Sequence, residues 1–211
     1  MKKLSILLLL QYFITVLLLI FLYKGGYRFQ PEIHHFVWDK TYLSDLGRTH
    51  YFSGIKNPYW WLYTLTLSWV GIGTILFFWI LSLNLSKFQS LMVRLLGFIS
   101  GLGYIGIAIN PVDIHFSAHI FWGSVAFFSF YFAWITIIIF TFKKNSFSRK
   151  IILLILFLIL SVYLYLQLTL PKTTDEHILL IKVIAQKITV ISLLVLSVLW
   201  LVMPDNENFK N

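Results

Sequence analysis

Residues 91–141 read LMVRLLGFISGLGYIGIAINPVDIHFSAHIFWGSVAFFSFYFAWITIIIFT. Two apolar runs, 91–109 and 114–141, meet there at the short polar break Asn110-Pro111-Val112-Asp113. A bilayer core about 30 Å thick needs about 20 apolar residues in a helix, so the stretch predicts two membrane-spanning helices joined by a tight turn. Outward from it, comparable runs occupy 4–23, 59–83, 151–170 and 175–203, which makes six spans. With 59% hydrophobic and 12% charged residues among 211, the chain could not cover its hydrocarbon as a water-soluble domain. The fold class this predicts is all-α: a polytopic integral membrane bundle of six transmembrane helices, a single domain over 1–211, with a long first exoplasmic loop at 24–58.

Lys2 and Lys3 precede the first run as they would precede a secretory signal. The stretch Leu4 to Leu22 is nevertheless too long for a signal's apolar core and shows no small-x-small cleavage pattern, so it reads as a retained anchor. Short loops rich in Lys and Arg stay in the cytoplasm. With both termini cytoplasmic, that side holds nine basic against two acidic residues, and the other side holds eight against six. The net charge of +9 therefore reports topology in a cell membrane and leaves a nucleic-acid partner nothing to explain. The expected partners are membrane lipids. The absence of cysteine excludes disulfides, thiolate ligands and thiol nucleophiles.

All six histidines and six of the eight acidic residues fall on the exoplasmic side, so the chemistry is expected there. The 24–58 loop exceeds the roughly 12–15 residues usual in compact domains, and its many aromatic residues argue against disorder. It reads either as a lid packed on the bundle or as a belt of rings in the headgroup layer. Within it, Ser44, Asp45, Gly47 and Arg48 bring together a hydroxyl, a carboxylate, a glycine and a guanidinium. They form either a small polar site or a turn in which Arg48 pairs with Asp45. The tandem His34-His35 reads as an interfacial pair.

In the turn after the third span, His115 and His119 are four apart, a helical spacing that can hold one divalent metal such as zinc. Asp113, His177 and His50 are further candidate ligands. Asp113 can alternatively cap the fourth helix or fix a histidine tautomer. His119 lies inside a span, where an ionisable group is costly and tends to be functional. Gly97, Gly101, Gly103 and Gly106 let other helices approach the third span closely. The Thr-x-x-Glu pattern at 173–176 predicts a sixth helix starting near Thr174. From there to Met203 it would run about 45 Å, so the turns carrying His177, Lys182, Gln186 and Lys187 must project, snorkel or line a polar cavity.

The order Ser44-x-x-Gly47, Pro111-x-Asp113-x5-His119 and Gln186-Lys187 resembles the bacterial and archaeal six-pass proteins grouped as domain of unknown function 998. More distantly it resembles the Frag/DRAM-type membrane proteins, some of which act in lipid and GPI-anchor remodelling. The resemblance covers nearly the whole chain and implies a six-helix fold with a polar exoplasmic site. Lys187 stands where such proteins are expected to carry arginine, so a bidentate anion contact is not implied there.

Two functional classes lead. One is a metal-assisted or acid–base hydrolase or acyl-transfer enzyme working on a lipid or membrane-borne substrate. Its catalytic groups would be Ser44, Asp45, Asp113 and His119, its metal ligands His115, His119, Asp113 and His177, and the metal would supply a nucleophilic water. In chemistry this resembles the seven-pass ceramidase-type hydrolases, which use histidines, an aspartate and a serine. The other is a non-enzymatic protein that binds a lipid headgroup for handling, sensing or assembly, with Arg48, Gln186 and Lys187 as binding residues. A haem protein ranks last, because the histidines crowd one end of the bundle.

Overall fold

The computed structural model describes residues 1–170, 173 and 175–203, apart from the side chain of Lys144. Six helices are long and apolar enough to cross a membrane: α1 Lys2–Leu22, α2 Trp60–Leu81, α3 Lys87–Ile109, α4 Phe116–Thr141, α5 Phe147–Thr169 and α6 Glu176–Val202. The protein is a multi-pass membrane protein. In hydrocarbon a helix satisfies the backbone N–H and C=O groups internally, which is why these apolar runs take no other form.

Short polar residues set several of the starts. Ser86 caps α3 in a reciprocal pair with Gln89, Ser146 caps α5 through the Arg149 N–H, and the Asp175 carboxylate accepts from the Ile178 N–H at 2.9 Å. Thus α6 starts at Glu176 under Asp175, while the expected start at Thr174 lies outside the described residues. Asp113 does not cap α4. His115 occupies that position and makes no side-chain cap bond, because the Asp113 carboxylate is turned toward the first loop.

Consecutive helices pack side by side and α6 returns to α1, which closes a ring. The predicted glycine face of α3 is where its two neighbours come closest. A Cβ on Gly97 or Gly101 would meet Phe78 or Ile75 of α2, and one on Gly103 or Gly106 would meet Ala126 or Trp122 of α4. Lower in the ring, Phe77, Phe78, Phe130, Trp134 and Trp200 form an aromatic cluster. Its Trp134 is fully buried and donates to the Leu153 carbonyl at 3.2 Å.

The connection between α1 and α2 lies over the end of the ring. Tyr23, Tyr27, Leu43, Leu46, Tyr51 and Asn57 of this segment are buried, and a 3-10 turn, Leu43–Gly47, forms its centre. Gly47 is needed there, since a Cβ would sit 2.4 Å from the Tyr63 ring. Trp38 and Trp61 stay half-exposed at the rim, as interfacial rings do.

A Cβ on Gly103 would lie 2.5 Å from the backbone nitrogen of Ala126. Gly103→Ala is therefore expected to destabilise the protein by about 1–3 kcal/mol through overpacking. Among the described residues nothing lies within 4 Å of the Cβ position of Gly123 in α4, so Gly123→Ala should be neutral or stabilise by up to about 1 kcal/mol through helix propensity. Thermal unfolding of the two variants in one detergent checks the contrast.

Candidate functional site

A cavity of about 1210 Å³ runs down the inside of the ring beneath the loop. That exceeds the roughly 300–1,000 Å³ of ordinary small-molecule pockets. Its mouth is polar: Ser44, Asp45 and Arg48 of the loop face it, together with His119 of α4 and Lys182 and Gln186 of α6. Below them the lining turns apolar through Leu67, Val70, Phe127 and Leu193, and it ends at Phe77, Phe130 and Ser197. At the helical rise of 1.5 Å per residue, Lys182 and Ser197 are about 22 Å apart along α6, which is most of a bilayer core about 30 Å thick.

The loop that forms the mouth is held by side chains from the start of α4 and from within α6. Asp113 accepts from the N–H groups of Thr49 (3.0 Å) and His50 (3.0 Å) and from the Thr49 hydroxyl (2.6 Å). Burial alone would raise its carboxyl, but these hydrogen bonds outweigh that and hold it below the usual carboxylate range. Gln186 accepts from the Leu43 N–H at 3.0 Å. Lys187, only 2% exposed, donates to the carbonyls of Trp38 and Thr41 and lies 4.9 Å from the Phe36 ring centre. The residues expected at 113, 186 and 187 thus all grip the loop. Gln186 and Asp113 also line the cavity, whereas Lys187 does not line it.

Asp45 sits in the 3-10 turn, 4% exposed, with its carboxylate accepting from the Tyr42 N–H at 2.9 Å and lying 3.5 Å from the Arg48 guanidinium. Burial pushes its carboxyl up to about 6, against the lowering pull of Arg48, the Tyr42 N–H and the more distant Lys187 charge. The expected pairing of Asp45 with Arg48 in a turn is what forms, and both residues line the cavity. Arg48 is further placed by a bond to the His50 carbonyl at 3.2 Å and by the Phe52 ring, 4.0 Å away.

His119 is buried one turn into α4, where its Nδ1 lies 2.8 Å from the Asn110 carbonyl. A carbonyl can only accept, so Nδ1 carries the proton and Nε2 is the acceptor of the neutral ring. The expected metal set is not assembled: among the described residues no three His, Asp or Glu side chains come together. His115 and His177 are exposed and lie outside the cavity, and the Asp113 carboxylate is occupied by the loop. The i,i+4 argument fails because α4 begins at Phe116, which leaves His115 off the helix at φ −120° and ψ 53°. His34, His35 and His50 are exposed as well.

Asn57 is a residue that sequence reasoning passed over. Its amide donates to the Leu46 carbonyl at 3.0 Å and the Arg48 carbonyl at 2.8 Å, while its oxygen accepts from Tyr51 and Tyr59. An asparagine before proline at the head of a span was the available signal, and it reads equally well as a surface turn. Arg28, Lys40 and Gln167 also line the cavity without having been singled out. Only Gln167, an amide near the end of an apolar run, carried a sequence cue.

The two carboxylates shift in opposite directions, and so do their pH effects. Asp45 is raised in the folded state, so its stabilising effect is complete below about pH 4 and is lost as pH rises through about 6. Asp113 is lowered, so it stabilises above about pH 4 and fails as pH falls through its folded value. Thermal midpoints taken across this range should fall between pH 4 and pH 6.5 for the wild type and stay flatter for Asp45→Asn. Asp113→Asn should cost about 1.5–3 kcal/mol at neutral pH and speed proteolysis within 24–58. Compared with protein-family models, with curated proteins and with solved structures, the chain matches none, so the likeness to domain of unknown function 998 rests on its short motifs alone.

Proposed function

We propose that the protein binds a membrane amphiphile with an anionic headgroup, holding the head beneath the loop and the hydrocarbon tail in the cavity. One observation carries this reading: a single cavity joins a charged mouth to an apolar shaft about 22 Å deep. Four of the charged residues lining it are cationic, Arg28, Lys40, Arg48 and Lys182, against the carboxylates Asp45 and Asp113; Lys40 is also paired with Glu176 at 3.4 Å, and the cations still outnumber the carboxylates. The Asp113 carboxylate stays charged, but its oxygens are engaged by loop donors that partly compensate it. The Nε2 acceptor of His119 suits a hydroxyl or amine on the same headgroup. The distribution of Lys and Arg supports a cell-membrane orientation with both termini in the cytoplasm, which puts the mouth on the exoplasmic side.

Binding for handling, sensing or assembly is favoured over hydrolysis or acyl transfer. Ser44, Asp45 and His119 share the cavity, but among the described residues no hydrogen bond links any two of them. A nucleophile and its base need that link. Native mass spectrometry of detergent-purified protein offered phosphatidylglycerol and phosphatidylcholine tests the proposal. The wild type should retain the anionic lipid in preference, and Arg48→Gln combined with Lys182→Gln should reduce that preference about tenfold, the equivalent of about 1.4 kcal/mol. Equal retention of both lipids by the wild type overturns the anionic assignment, and retention of neither overturns binding.

A further inference from the structure

The wall of the cavity is not uniform. Whereas α3 and α4 are pressed together at glycines, α4 and α5 pack far less closely. The contacts that join them run from Trp134 and Leu153 (3.2 Å) through Tyr131 and Ser161 (3.0 Å) to the rings of Phe127 and Tyr163, 4.9 Å apart. Toward the loop from that last pair, both helices go on lining the cavity, α4 through Phe116, Ile120 and Gly123, α5 through Gln167 and Leu168. Phe116, Ile120 and Leu168 are at the same time 63%, 51% and 72% exposed, more than a wall sealed by a neighbouring helix leaves open. Side chains that touch both the interior and the exterior mark the rim of a gap.

Gly123 sits in this rim. The glycines of α3 are required by helices packed against them, but among the described residues nothing lies within 4 Å of where a Gly123 Cβ would be. Glycine inside a helix costs about as much as any residue short of proline, and at this position no close packing offsets it. What its small size does provide is width between α4 and α5. Gln167, exposed on the opposite side of the gap, sets an amide in a rim that is apolar apart from Ser124, where it can hydrogen-bond a passing ester or headgroup.

We propose that this gap is a lateral portal through which the ligand slides from the bilayer leaflet into the cavity, tail in hydrocarbon throughout. The inference rests on the amphiphile-binding reading and narrows it: the ligand is a bilayer-resident lipid and not an amphiphile captured from water. The end of the ring is covered by a loop that Asp113, Gln186, Lys187 and Asn57 tie down. Loading past it would drag a hydrocarbon chain through water and polar groups, which the lateral route avoids.

The test uses the full-length protein in phosphatidylcholine vesicles. Capture of deuterated long-chain phosphatidylglycerol from the vesicle is followed over time by native mass spectrometry, beside capture of dihexanoyl phosphatidylglycerol added from water. Gly123→Trp should slow the long-chain arm about tenfold more than the short-chain arm, as a change at an access step does. Long-chain capture at the wild-type rate, or equal slowing of both arms, overturns the portal. Because the chain has no cysteine, Ser124→Cys with Gln167→Cys gives a second variant that a reductant-cleavable linker can bridge across the gap. Bridged protein should stop loading and resume on reduction; loading at the wild-type rate while bridged overturns the proposal in a sample whose folding is shown by its recovery. If the wild type captures neither lipid, the amphiphile-binding reading itself has failed. Wild-type capture of the short-chain lipid alone retains a binding site and removes the portal.

Discussion

A stretch of non-helical backbone at the end of a membrane bundle must find a partner for each N–H and C=O it buries. The connection between α1 and α2 meets this constraint with side chains rather than with a sheet. Asp113 takes the amides of Thr49 and His50, Gln186 takes that of Leu43, Lys187 supplies the carbonyls of Trp38 and Thr41, and Asn57 bridges those of Leu46 and Arg48. Asp113 and Asn57 stand just before α4 and α2, and Gln186 and Lys187 stand about three turns inside α6. The loop therefore inherits the rigidity of the bundle, and Ser44, Asp45 and Arg48 are held over the cavity by groups that do not themselves have to meet a ligand.

The cavity has a comparable origin in unequal packing. Glycines draw α2, α3 and α4 together on one side, while no equivalent small residues draw α4 onto α5 near the loop. The aromatic cluster of Phe77, Phe130 and Trp134 closes the lower end, where flat rings stack and leave no shaft. Space remains between a tight side, a loose side and a floor. The polar residues at its top are there because the loop is, and the apolar residues below are those any span would carry.

Much of this was legible in the chain. Six runs of about 20 apolar residues specify six helices because a bilayer leaves no other way to satisfy the backbone, and the glycine spacing of α3 marked its close contacts. The pairing of Asp45 with Arg48 was readable as a local turn. Asp113, Gln186 and Lys187 were noticed as polar residues where polarity is costly, but the nature of their partners was hidden. A carboxylate near two histidines suggests metal chemistry on paper; here a backbone more than 60 residues away in sequence claims it first.

Sequence by itself determined the elements, their number and the concentration of polar side chains at one end, since hydrophobic length and charge act locally and need no knowledge of neighbours. Tertiary structure decided which polar groups are consumed and which stay open to a ligand. His115 stands one residue before α4 and His119 is the fourth residue of α4, and that difference leaves one exposed and the other buried at the mouth of the cavity. Burial pushes the Asp45 carboxyl up to about 6 only because its turn packs onto helices distant in sequence. Burial and hydrogen-bond partnership are properties of the packed chain, and no reading along the chain contains them.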